Sequence, residues 1–211
     1  MEDHQTQLQI ERLLFFSDAV IAIAMTLLII EIKAPHITDN NEIASSFNEL
    51  IPKFISFFVG FIVIAIYWKA HHHLFGYVKK YTDKLIWMNL LFLLSIVLMP
   101  FSSAFYSENF NLNIPYAVYC INIMITGFLN CCLVRYISSE KANLSSVSGN
   151  HVWRRYYTLR SLVAPTVFLL SMLLSFYSAG LSRLCFILIF PLLYLLKRMM
   201  KEQGPMDNVT Q

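Results

Sequence analysis

From Leu13 to Ala34 the chain reads LLFFSDAVIAIAMTLLIIEIKA, an almost unbroken apolar run with a serine and an aspartate near its start. An α-helix crosses a bilayer with about 20 predominantly apolar residues, so this run is long enough to span. It is too long for the apolar region of a cleavable leader, and the residues before it are acidic to neutral rather than basic. The segment is therefore expected to stay in place as a membrane helix ended by Pro35. An ionisable Asp18 inside such a run is costly, and it calls for a partner or a function.

Five more runs of this kind follow, giving expected spans over residues 13–34, 51–75, 84–106, 114–137, 156–179 and 182–200. Pro52 suits the first turn of the second span, and Pro100 is expected to kink the third. The composition agrees: 57% of residues are hydrophobic and 14% charged, against about 25% charged in soluble domains. One aqueous core cannot absorb that much apolar surface. With 17 Phe, 11 Tyr and 9 Met but only 6 Gly, the runs suit long helices better than the alternating strands of a membrane barrel. The expected fold class is all-α, a single six-helix transmembrane domain over residues 1–211. Residues 138–150, polar and rich in Ser and Asn, read as an internal linker, and the tail from Lys201 to Gln211 as disordered.

Lys and Arg set the orientation. With six spans, Arg12, Lys69, Lys79, Lys80, Lys84, Arg135, Lys141, Arg154, Arg155, Arg160, Lys197, Arg198 and Lys201 fall on the side of the termini. Of the 16 Lys and Arg, only Lys33, Lys53 and Arg183 fall on the other. Both termini are expected in the cytoplasm. A net charge of +3 is too small to imply a nucleic-acid partner. Cys120, Cys131, Cys132 and Cys185 lie in apolar segments without paired spacing and read as packing residues.

On a helical wheel of about 100° per residue, Phe16, Ala19, Thr26, Leu27 and Ile30 fall within about 60° of Ile23. Asp18 lies about 140° from Ile23 and Ser17 about 120° away in the other direction. The acid and the aliphatic stripe cannot face the same neighbour. Two readings of Ser17–Asp18 are open: a helix cap, or a buried carboxylate paired across to the next helices. For the second, Trp68 and His72 on the second span and Asn89 on the third offer N–H donors at matching depth, with Arg12 adding charge.

The segment RLLFFSDAVIAIAMTLL carries Arg-x-x-x-Phe-Ser-Asp before an Ala/Ile run and Thr-Leu-Leu. It resembles the first helix of the endolysosomal potassium channel family, in its prokaryotic, single-repeat branch. The junction YWKAHHHLFGYVKKYTDKLIWMNLLFLLSIVLMPF is similar to that family's second-to-third helix region, and the later helices match by topology alone. The resemblance implies a homotetrameric K⁺-permeable channel in a prokaryotic plasma membrane, with the first helix of each subunit lining a central pore. It places the hydrophobic constriction at Ile23, with Leu27 and Ile30 as further layers, and a selectivity-linked polar position at Thr26. It also implies that Arg12, Phe16, Ser17 and Asp18 tie the first helix to Trp68, His72 and Asn89. The implied partners are self, lipid, K⁺ and larger alkali cations; no cofactor, resident metal or catalytic residue is expected. The chain lacks a Thr-Val-Gly-Tyr-Gly filter, which excludes a carbonyl cage, whereas an apolar ring gates by dewetting.

Other signals have ordinary readings beside functional ones. Three consecutive helical residues point about 100° apart, so His71–His73 do not converge readily on a metal. Arg154, Arg155 and Arg160 read as a lipid-phosphate site or as interfacial anchors. Glu31 either concentrates cations at a pore mouth or faces water. The alternative function is a proton-coupled secondary carrier using Asp18 and His72, for which inverted repeats would be expected.

Overall fold

The computed structural model describes residues 2–36, 38–39 and 43–201. Among these residues eight α-helices follow one another: α1 (Glu2–Ile30), α2 (Ile43–Phe75), α3 (Asp83–Val97), α4 (Met99–Glu108), α5 (Asn113–Ile137), α6 (His151–Leu174), α7 (Ala179–Leu184) and α8 (Ile189–Lys201). A 3₁₀ segment, Cys185–Leu188, joins the last two. No strand is present among the described residues. They make six spans long and apolar enough to cross a membrane, with α3–α4 as the third and α7 to α8 as the sixth. The chain is a multi-pass helical membrane protein.

The boundaries depart from the expected ones where hydropathy is blind to helix. α1 starts at Glu2 because the polar stretch before Leu13 is helical too, with Gln7 Nε2 donating to Glu11 Oε1 at 3.3 Å, one turn on. It stops at Ile30 rather than at Pro35, where charged Glu31 and Lys33 enter the chain. α2 begins at Ile43, so Pro52 lies inside the helix and not in its first turn, where it withholds an N–H from the carbonyl four residues back. The third span breaks at Leu98, with Pro100 in the first turn of α4. α6 begins earlier than expected, at His151, because Asn150 Oδ1 accepts the Trp153 N–H at 2.9 Å and caps it.

The polar segment 138–150 is not a loose linker. Its Leu144 carbonyl accepts the N–H groups of Lys79 and Lys80 at 2.8 and 3.1 Å, and its Ser146 N–H donates to the Tyr77 carbonyl at 3.0 Å. The α2–α3 and α5–α6 connections are thereby sewn together at one end of the bundle. At the opposite end Arg183 of α7 donates to the Phe110 carbonyl and stands 3.7 Å over its ring. The tail beyond Lys201 lies outside the described residues.

α5 is the axis of the bundle, packed against α2, α3, α4 and α6. Gly127 makes this possible: a Cβ there would sit 2.2 Å from Pro165 Cγ of α6 and 2.6 Å from Tyr67 Oη of α2. Hydrogen bonds cross between helices at several levels. Ser56 Oγ reaches the Ser103 carbonyl at 3.0 Å, Tyr67 Oη the Ile123 carbonyl at 3.1 Å, and Asn122 Nδ2 Ser102 Oγ at 3.0 Å. Where lipid gives no hydrophobic drive between helices, such bonds and close contacts of small residues supply the cohesion. α1 is peripheral: 22% of its apolar window is buried, against 56% for α5.

Candidate functional site

α1 presents two faces that differ in what they touch. Ser17, Ile21, Ala24 and Leu28, spaced i, i+4, i+7, i+11, are buried against the rest of the chain, as a 3.6-residue period requires. Gly60 lets α2 come close to this face, since a Cβ there would lie 3.1 Å from Leu28 Cδ2. On the other side Ile23, Leu27 and Ile30 are 58%, 38% and 66% exposed. Thr26 lies on this outer side, and its hydroxyl donates to the Ile23 carbonyl at 2.8 Å. With the proton turned to the backbone, the oxygen's lone pairs remain free, the polarity that suits a cation.

The buried face is fastened by two sets of polar contacts. Trp68 Nε1 donates to Asp18 Oδ1 at 2.9 Å, joining α2 to α1. Asn89 Nδ2 donates to Ser17 Oγ at 2.8 Å, joining α3 to α1, while Ser17 donates its own proton to the Leu13 carbonyl at 2.8 Å. The Asn89 carbonyl oxygen then faces His71 Nε2 at 2.7 Å. Because that oxygen only accepts, Nε2 carries the His71 proton. Ser17, Asn89 and His71 are all fully buried. The His71 ring is stacked on Phe75 and Phe92, at 4.2 and 5.4 Å between centroids, and its Nδ1 has no hydrogen-bond partner among the described residues.

Three expectations need correction here. Asn89 binds Ser17 rather than Asp18. His72, expected to face Asp18, lies exposed with its ring 5.6 Å from that of Trp68, and His71 is the histidine drawn into the network. Arg12 lines a surface cleft with Gln9, Leu13, Phe16, Tyr81 and Ile86 instead of flanking Asp18. The histidine shift is a matter of helical phase: Ile64, Tyr67, His71 and Leu74 share the buried stripe of α2, and His72 is turned about 100° from it. That stripe was readable in the sequence. His73 takes a third direction, with Nε2 2.5 Å from Tyr157 Oη of α6, so the three rings diverge.

Residues 12–100 match the family described as endosomal/lysosomal potassium channel TMEM175. Over these residues, less than half of the chain, it resembles the TMEM175 family. The matched segment runs from Arg12 in α1 through α2 and α3 to the start of α4, and so contains all the polar fasteners of α1. A protein of Chryseobacterium sp. (strain P1-3), named a potassium channel, is 34% identical over 116 residues, covering 55% of this chain and 58% of that one. The zebrafish (Danio rerio) TMEM175, named an endosomal/lysosomal proton channel, is 24% identical over 180 residues, 83% of this chain and 35% of that one. The chain spans about half the length of the curated bacterial relatives it matches in this way. Among solved structures, a TMEM175 homolog from Chamaesiphon minutus, titled a lysosomal potassium-selective channel, superimposes with a TM-score of 0.74 at 25% identity. That match covers 89% of this chain and 98% of the other. The TMEM175 family is one of ion channels, not of enzymes.

Proposed function

We propose that this chain is a potassium-permeable channel, assembled as a homotetramer with α1 of each subunit around a central pore. Ile23, Leu27 and Ile30 form the hydrophobic constriction in this reading, and Thr26 offers a polar oxygen beside it. Both termini face the cytoplasm, and the channel sits in a prokaryotic plasma membrane. K⁺ and larger alkali cations permeate, with no cofactor. The single observation that carries the reading is the division of α1 into two faces. The costly Asp18 is spent on holding α2, while the aliphatic stripe stays unpartnered within the subunit. Lipid would accept such a stripe as well as a pore would; the resemblance to a channel family favours the pore. A ring of isoleucines conducts when wide enough to stay wet and closes by dewetting. It favours the ion that sheds water more cheaply, K⁺ over Na⁺.

Purified protein in liposomes with K⁺, Na⁺ or Cs⁺ gradients tests this directly. Rapid, uncoupled flux preferring K⁺ is expected, and slow flux that moves only with protons would sink it. Ile23→Cys, labelled from the aqueous side by a charged thiol reagent, should lose flux; labelling without loss would assign the stripe to another surface. Ile23→Asn should leak and discriminate less between K⁺ and Na⁺. The proton-channel names of the vertebrate relatives favour a second reading, proton passage along the same path. An internal pH dye under a proton gradient with K⁺ absent separates the two.

A further inference from the structure

Two cations stand inside spans without an acid to meet them. α6 begins at His151, so Arg160 lies about 13 Å along it, at about 1.5 Å per residue. α2 ends at Phe75, which puts Lys69 about 9 Å inside that helix. Both lie within their helices rather than at the ends, where a long side chain can extend its charge towards the headgroups. Neither has an ion-pair partner among the described residues.

The two cations are gathered at one place. Between α2 and α6, His73 Nε2 meets Tyr157 Oη at 2.5 Å, and the Arg160 guanidinium carbon stands 5.9 Å from the centre of the Tyr157 ring. Lys69 is four residues before His73 on α2, and Arg160 three residues after Tyr157 on α6, so each cation shares a face with one member of this pair. Trp153 packs on Tyr157 at 4.2 Å, and its indole N–H is buried with no hydrogen-bond partner among the described residues. α5 forms the floor, where Gly127 admits both flanking helices. The groove thus offers hydrogen-bond donors, positive charge and aromatic walls, with no carboxylate among these groups. Like charges collected near hydrocarbon repel and are expensive to hold. An anion seated between them removes both costs.

We propose that the α2–α6 groove holds the phosphate of an anionic phospholipid. Arg160 and Lys69 pair with the phosphate oxygens, the His73–Tyr157 pair lies against the headgroup, and the acyl chains run down the apolar side of α6. The site uses no residue of the exposed stripe of α1, and the proposal does not depend on conduction.

The full chain in nanodiscs of mixed phosphatidylglycerol and phosphatidylcholine, released for native mass spectrometry, is the test. Wild-type protein should retain phosphatidylglycerol preferentially. Arg160→Gln and Lys69→Gln should each lower that preference about fivefold, the worth of one juxtamembrane cation. Arg160→Lys and the rim variant Arg155→Gln should keep it. Thermal unfolding confirms that each variant is folded, and Lys69→Gln decides should Arg160→Gln not fold. Unchanged preference in both Gln variants would overturn the proposal, as would an equal loss in Arg155→Gln. Displacement of the lipid by millimolar inorganic phosphate would also overturn it, assigning the groove to a free anion.

Discussion

Asn89→Leu is the sharpest probe of how α1 is held. The substitution keeps approximate size but removes two hydrogen bonds, from Asn89 Nδ2 to Ser17 Oγ at 2.8 Å and from His71 Nε2 to Asn89 Oδ1 at 2.7 Å. Ser17 still donates to Leu13, so its loss is mild. His71 is fully buried and its Nδ1 already lacks a partner, so its imidazole would keep no hydrogen bond at all. A buried polar group left unpaired costs about 1–3 kcal/mol, and the expected loss for Asn89→Leu is about 2–3 kcal/mol on this scale. His71→Phe in the same chain keeps a ring between Phe75 and Phe92 and deletes the stranded donor. Replacing both partners by apolar groups is nearly neutral, so the double variant should be more stable than Asn89→Leu alone. Pair couplings measured in membrane proteins average about 0.6 and reach about 1.7 kcal/mol; the dry setting here puts the expected coupling at the upper end. Reversible unfolding in mixed micelles of the two singles and the double gives this number. Additive losses would refute the reasoning, because they would mean that Asn89 and His71 do not depend on each other.

Gly127→Ala should destabilise by about 1–3 kcal/mol through overpacking, measured by the same unfolding assay. Adding Tyr67→Phe should recover only part of this, since Tyr67 Oη is one obstruction and Pro165 Cγ the nearer one. Trp68→Phe removes the donor to Asp18 and should cost about 1 kcal/mol, less than a fully buried bond to a charged group because the pair is partly exposed. Its signature is faster hydrogen exchange in α1 with α5 unaffected. Ser56→Ala breaks the contacts with the Ser103 carbonyl and hydroxyl and should lower stability by about 1 kcal/mol, with Ser56→Cys intermediate.

Much of this protein was legible from residue order. Six apolar runs, broken where polar or proline residues fall, dictate six spans, because an unsatisfied backbone cannot exist in hydrocarbon. The phase of Asp18 against Ile23 follows from about 100° per residue, and it already separates the fastened face of α1 from the aliphatic one. The resemblance that starts from Arg-x-x-x-Phe-Ser-Asp leads to the family. Helix ends were less legible, because hydropathy measures what enters lipid and not what is helical; α1 and α2 both continue past their apolar windows.

Tertiary structure decided the partners. Trp68, His71, His72 and His73 all offer N–H donors at one level, and only the rotation of α2 against α1 and α3 selects Trp68 for Asp18 and His71 for Asn89. It also brought Lys69 and Arg160, some ninety residues apart in the chain, to one groove across Gly127. A single helix fixes the angle between its own side chains. Which of those angles meets a neighbour depends on how close two helices come, and that distance is set by small residues and proline rings on a third.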